Sequence, residues 1–217
     1  MTATKVQATL AQRVAEEFPA NVAQHQMTVE QSNGVHRCLL FKQPSTANRY
    51  FRVITYPGAL CISGDMGTFV FSRLHDMFEF FRKDREGINP QYWSGKLVGI
   101  DRNDFKRFDA DKFKAKVVEC FNSWTEDRDL THERVTELRL ELEHEVLSCA
   151  HDGEHEAIRA MMEFEIDREC PFSEFYEYNC DSYTYHFLWC CHAIVWAIQQ
   201  FDAFELAAPA APLTESR

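Results

Sequence analysis

The sequence predicts an α+β fold: an N-terminal helix, an antiparallel β-meander of about five short strands, and a helical, acidic C-terminal part. Three observations predict it. Between residues 25 and 73, short apolar runs are separated by the turn signals Asn33-Gly34, Pro57-Gly58 and Asp65-Met66-Gly67. Beyond residue 73 the apolar period lengthens to helical spacing. From Glu119 to Asp181 there are 19 Asp or Glu against 5 Arg and no Lys, a balance of −14, whereas the rest of the chain has 15 acidic and 18 basic residues.

The first element is read from "TKVQATLAQRVAEEF", where Val6, Leu10, Val14 and Phe18 fall near helical spacing and Pro19 is expected to stop the helix. "HQMTVEQS" and "VHRCLLFKQ" then flank Asn33-Gly34, a strong hairpin signal. "RYFRVITY" and "ALCISG" flank Pro57-Gly58, which suits a type II turn with Pro at its first corner and Gly at its second. Asp65-Met66-Gly67 leads into the fifth strand, "TFVFSR".

Leu74, Met77, Phe78 and Phe81 share one helix face. In "NPQYWSGKLVGI", Asn89 as N-cap with Pro90 at the first helical position starts a further helix. Phe113, Val117, Cys120, Phe121 and Trp124 form a stripe on the next helix, and Val135, Leu138, Leu142, Val146 and Cys149 on the one after it. A shorter helix, "EHEAIRAMMEF", follows Gly153. The last, from about Ser182 to Phe201, is apolar on nearly every side and belongs in an interior. The expected division is 1–104 as helix plus sheet with two covering helices, 105–205 as an acidic helical subdomain packed on it, and 206–217 as an Ala/Pro-rich disordered tail.

Hydrophobic residues make up 45% of the 217 and charged residues 26%, ordinary for a folded domain, while 18 Phe point to an aromatic core. The most apolar run, 183–198, is short for a bilayer and contains His186 and His192. The first 18 residues read as an amphipathic helix rather than a signal peptide, so the expected location is cytoplasmic. The eight cysteines include no CxxC pair and lie mostly within apolar segments, which suits reduced thiols. Within the net charge of −11, the asymmetry between the anionic segment 119–181 and the nearly neutral remainder argues against duplex DNA as a direct partner of the acidic part and would suit a basic protein surface.

Chemistry is sparsely signalled, and no cofactor motif or catalytic set emerges. Gly64-Asp65-Met66-Gly67 has glycines but leads into strand rather than helix, and an aspartate repels phosphate; a hairpin corner is the stronger reading. His144, His151 and His155 would share a face on an unbroken helix, with Glu141 one turn earlier, but Gly153 is expected to break it. His186 and Cys190 are four apart and Cys191 adjoins His192, which suits core packing with a His–Cys contact as the chemical alternative. The segment 82–116 has ten Lys or Arg and six acidic residues, with Phe105, Phe108 and Phe113 interleaved, and reads as a solvated helix face. Glu133, Glu137, Glu141, Glu145, Asp152 and Glu156 stand opposite the apolar stripes and are the nominated partner-binding residues.

"RVITYPGALCISGDMGTFVFSRLHDMFEFFR" with "INPQYWSGKLVGIDR", roughly residues 50–102, resembles a family of uncharacterised accessory proteins encoded by temperate phages and prophages. The resemblance implies no catalytic residues or cofactors. It implies an origin among genes whose products often act on host machinery, including CRISPR–Cas and other immune systems. The expected function is then inhibition of a host immune complex in the bacterial cytoplasm, the acidic part competing for a basic, nucleic-acid-binding groove. Two alternatives stand beside it. One is a metal-dependent enzyme acting on nucleotides or nucleic acid through Asp65 or the three histidines. The other is a sponge for a signalling nucleotide, using Arg49, Arg52 and Arg73.

Overall fold

The computed structural model describes residues 9–82, 87–101 and 104–207, and the fold is α+β as expected. The start of the first helix, with Val6, and the tail from 208 onward lie outside the described residues. Two compact units form: residues 1–105 together with 183–217, and residues 106–182. This corrects the expected division at 104/105, because the last helix returns to the first unit.

In the first unit, α1 (Leu10–Val22) opens with a capping box: Thr9 Oγ1 accepts from the Gln12 amide, and the Gln12 side chain accepts from the Thr9 amide. The helix does not stop at Pro19 but continues for three residues. Pro19 forfeits one intrahelical bond, a cost of about 3 kcal/mol in a helix interior. Phe18 and Val22, one turn apart and both buried, offset it, since burying each side chain is worth roughly 1.5–3 kcal/mol.

The sheet is a simple meander of β1 (Gln26–Asn33), β2 (His36–Lys42), β3 (Phe51–Tyr56), β4 (Ala59–Gly64), β5 (Gly67–Ser72) and β6 (Leu97–Ile100), each antiparallel to the next. Gly58 sits at φ +87°, as the second corner of a type II turn requires. The sixth strand was not expected. α3 (Pro90–Ser94), capped by Asn89, lasts only about a turn before Gly95 ends it. Lys96 to Asp101 then extends along β5, with Ser72 N donating to Lys96 O at 3.0 Å and Asp101 N to Thr68 O at 3.1 Å. Val98 and Ile100 are β-branched, Gly95 and Gly99 disfavour a continued helix, and the open edge of β5 supplies the partner.

One face of the sheet carries Leu39, Phe41, Phe51, Val53, Leu60, Ile62, Phe69 and Phe71, all essentially inaccessible. α1, α2 (Met77–Arg82) and α7 (Tyr185–Ala207) share that core. α7 is apolar on nearly every side as far as Ile198 and threads the interior there: Phe187 packs edge-on to Phe69 at 5.3 Å, Trp189 to Phe51 at 5.6 Å and Trp196 to Phe41 at 5.3 Å. It runs through Ala207, past the point where a disordered tail was expected to begin.

Arg37 projects from β2 into this core, lies 4.4 Å over the Phe78 ring, and makes two 2.9 Å bonds to the Asp76 carboxylate. Asp76 also accepts from the Phe78 amide at 2.9 Å, so one carboxylate starts α2 and pairs the buried cation.

In the second unit, α4 (Ala110–Glu126) is followed by α5 (His132–Glu145), and a 3-10 turn, Leu147–His151, joins α5 to α6 (Glu154–Glu163). β7 (Lys106–Phe108) and β8 (Asp181–Tyr183) pair where the chain enters and leaves. Asp109 and Thr131 cap α4 and α5 as side-chain acceptors. The expected stripes fill this smaller core through Phe113, Val117, Phe121, Leu138, Leu142 and Val146, with Cys120, Trp124, Val135 and Cys149 half-buried at its margin.

Candidate partner-binding surface

The second unit contains the whole acidic segment 119–181, and the basic residues of 106–118 offset part of its −14. Residues 106–182 hold 21 Asp and Glu against 10 Lys and Arg; of the chain's 34 acidic and 23 basic residues this leaves 13 of each sign to the first unit. The first unit is therefore neutral, and the second carries the whole net charge of −11.

On α5 the residues Glu133, Glu137, Glu141 and Glu145 recur every fourth position, and all four are exposed. Leu138, Leu142 and Val146 face the core, so the acidic row is held outward by the packing of its own helix. Arg134 lies 3.3 Å from Glu137 and 3.6 Å from Glu141; Glu133 and Glu145 have no ion pair among the described residues. Like charges four apart on a helix destabilise it by about 0.2–0.5 kcal/mol per pair. The row is thus maintained against local stability. Asp152 follows the 3-10 turn and is exposed, while Glu156 on α6 is half-exposed and bonds Arg159. That hydrogen bond and the Arg159 charge lower the Glu156 pKa.

The other nominated chemistry is taken up by structure. Asp65 is exposed at the β4–β5 corner, where its carboxylate accepts from the Arg49 amide at 2.8 Å and its own amide donates to Tyr50 O at 3.0 Å. Beside it, a Cβ on Gly64 would lie 2.2 Å from Tyr50 O, so the loop and the corner meet only because Gly64 has no side chain. Among the described residues, no three His, Cys, Asp or Glu side chains are grouped to hold a metal ion. His144, His151 and His155 fall on α5, the 3-10 turn and α6, and His155 faces Glu156 at 3.4 Å.

Cys190 donates to Met66 O at 3.7 Å instead of engaging His186, and His192 stacks on Phe18 at 5.5 Å. Burial pushes the Cys190 and Cys191 thiols up and the His192 pKa down, so both thiols stay protonated at neutral pH. All eight cysteines are free. Of the three nominated arginines, only Arg52 lines the shallow depression beside the 43–50 loop, and it is paired with Glu30 at 3.2 Å. No helix among the described residues is long and apolar enough to cross a membrane.

One feature of the second unit escaped the sequence reading. A groove of about 280 Å³ opens between α6 and the 3-10 turn Phe175–Glu177. Phe113, Met161 and Phe175 form its floor, and the exposed Ile158, Met162 and Tyr176 its rim. The signal was present in "EHEAIRAMMEF": Ala157/Met161 and Ile158/Met162 are two neighbouring rows at i, i+4 on a ten-residue helix. The core takes the first row, and the second is left outside.

No family model, curated protein or solved structure matches this chain.

Proposed function

We propose that the chain is a phage-encoded accessory protein that binds a host immune complex stoichiometrically and inhibits it, of the anti-CRISPR or a related anti-defence type. The acidic second unit competes for the basic groove in which that complex holds nucleic acid. The observation that carries this reading is the charge division: a neutral unit built on the sheet, and a helical unit of 77 residues holding the whole −11. Solubility alone does not call for such confinement, and self-repulsion opposes it. The resemblance of residues 50–102 to phage accessory proteins supports the origin. Long-range attraction speeds encounter with a basic groove and weakens with salt, whereas apolar anchors set residence time.

The test is competition. Purified protein is added to RNA-guided immune effector complexes before and after target nucleic acid, and retained nucleic acid is measured by mobility shift. The reading expects target binding to fall with a one-to-one stoichiometry when the protein is added first. Unchanged target binding across the CRISPR–Cas types assayed overturns it.

A further inference from the structure

We propose that the groove between α6 and the Phe175–Glu177 turn is a docking site for a basic peptide segment that seats an apolar anchor side chain. The proposal rests on the second unit being the partner-binding part, and it names the chemistry of the partner segment. Among the described residues the second unit exposes five large hydrophobic side chains: Leu140, Ile158, Met162, Tyr176 and Tyr178. All but Leu140 line this one groove. Scattered exposed apolar residues need no explanation, but a convergent set does. Tyr176 is 81% exposed and Met162 54%, and among the described residues the Tyr176 ring has no aromatic or cationic partner.

The floor is preorganised. Phe113 meets Phe175 edge-on at 5.5 Å, and Phe175 meets Tyr178 at 5.9 Å, so rigid rings form the base while Met162 on the rim adapts to shape. Aromatic and methionine side chains in this arrangement are those enriched where protein partners dock. The size narrows the occupant. At about 280 Å³ the groove falls below the roughly 300–1,000 Å³ of pockets that enclose drug-sized ligands, and it suits an anchor side chain.

Charge selects the flanks of that anchor. The ionisable carboxylates lining the groove are Glu154 and Asp181, and no Lys or Arg lines it. Two lysines outside the lining are already engaged by lining residues: the Lys116 ammonium lies 3.8 Å from the Tyr178 ring centroid, and Lys112 donates to Asp181 O at 2.8 Å. Tyr178 therefore already accepts a cation on its face, and the free Tyr176 face offers the same interaction to a partner Lys or Arg. An anionic ligand meets two carboxylates and a unit of net charge −11.

The probe is a fluorescein-labelled, lysine-rich peptide carrying two tryptophans four residues apart, titrated into the full-length protein by anisotropy. Controls replace both tryptophans with alanine, or the lysines with glutamate. The Trp/Lys peptide is expected to bind, both controls to bind at least about tenfold more weakly, and M162A/Y176A to lose about tenfold with unchanged circular dichroism. Equal binding of the alanine control, full affinity in M162A/Y176A, or no binding of the Trp/Lys peptide overturns the proposal. Peroxide footprinting of the unaltered protein gives a reading free of any folding defect: peptide should slow Met162 oxidation, and an unchanged rate overturns the site. A dimer that M162A/Y176A dissociates in sedimentation would assign the groove to a second copy instead.

Failure here is distinguishable from failure of the inhibitor reading. If E133K/E137K/E141K/E145K abolishes binding to an immune complex while M162A/Y176A does not, only the groove falls. If the peptide binds in the groove and neither variant affects any complex, the inhibitor reading falls and the groove stands.

Discussion

The first unit is electrically neutral and aromatic, and the second is acidic, helical and built on a smaller core. Almost everything distinctive in the sequence motifs belongs to the first. Tyr56-Pro57-Gly58 makes a turn, Asp65 ties a corner to a loop, Asp76 starts a helix over a buried arginine, and Trp93 fills the core. Almost everything distinctive in the charge belongs to the second. The difference teaches that a motif can be specific because a scaffold demands it, while the proposed partner surface is written in charge and in apolar side chains left unburied.

The comparison breaks most sharply at Asp76. Asp76→Ala leaves Arg37 buried and unpaired, and loss of one partner from such a pair costs about 3–5 kcal/mol. Urea denaturation followed through the first unit's tryptophans should show that loss. A loss below 1 kcal/mol would mean the pair does not hold the first unit together. Burial works against the Asp76 carboxylate, but the bonds from Arg37 and the Phe78 amide outweigh it and hold its pKa below the ordinary 3.8. Because the folded pKa is depressed, this stabilisation is present above the unfolded pKa and is lost as pH falls through the folded value. Asp76→Asn should therefore flatten the acid-side fall in stability below about pH 4 relative to wild type.

Gly64→Ala comes next. Its new methyl would strike backbone at Tyr50 and Phe51, and overpacking of this kind costs about 1–3 kcal/mol. The same substitution at Gly34 meets open space but a φ of +58°, so its penalty comes from backbone strain alone and should be smaller. Equal Tm shifts for the two variants would contradict the account of Gly64 as a point of close backbone approach.

The smallest effect lies in the second unit. Glu137→Gln and Glu141→Gln remove like-charge pairs from the α5 row but also the Arg134 contacts, so each should change stability by under about 0.5 kcal/mol. Added salt should stabilise the second unit, read through Trp124, more than the first, read through Trp93 and Trp189. A uniform response would remove self-repulsion as a property of one unit.

How much of this was legible in the sequence depends on whether the signal was local. Turn dipeptides and caps are local, so four of the five pairings within the six-stranded sheet and the helix starts at Asn89 and near Gly153 could be read directly, whereas the short β7–β8 pair carries no such signal. The β5–β6 pairing could not, because "KLVGI" is short and its state was decided by a distant open edge. The reach of α1 past Pro19 was hidden for a similar reason, since Phe18 and Val22 recover in the core what the missing amide loses. The destination of α7 was out of reach: an all-round apolar helix announces burial but not which core buries it. Of the candidate surface, the acidic row on α5 followed from spacing, and its exposure agrees with that reading. The groove did not, because Ile158 and Met162 look like core until Ala157 and Met161 are seen to have taken that place.

The central claim is that the acidic unit drives association with a basic, nucleic-acid-binding complex. It is tested most directly by measuring affinity for immune effector complexes against salt, for the wild type and for E133K/E137K/E141K/E145K. The account predicts wild-type affinity that falls steadily as salt rises, and a charge-reversed protein that binds at least about tenfold more weakly at low salt, with the two converging at high salt. Salt-independent affinity that survives the four reversals would contradict it.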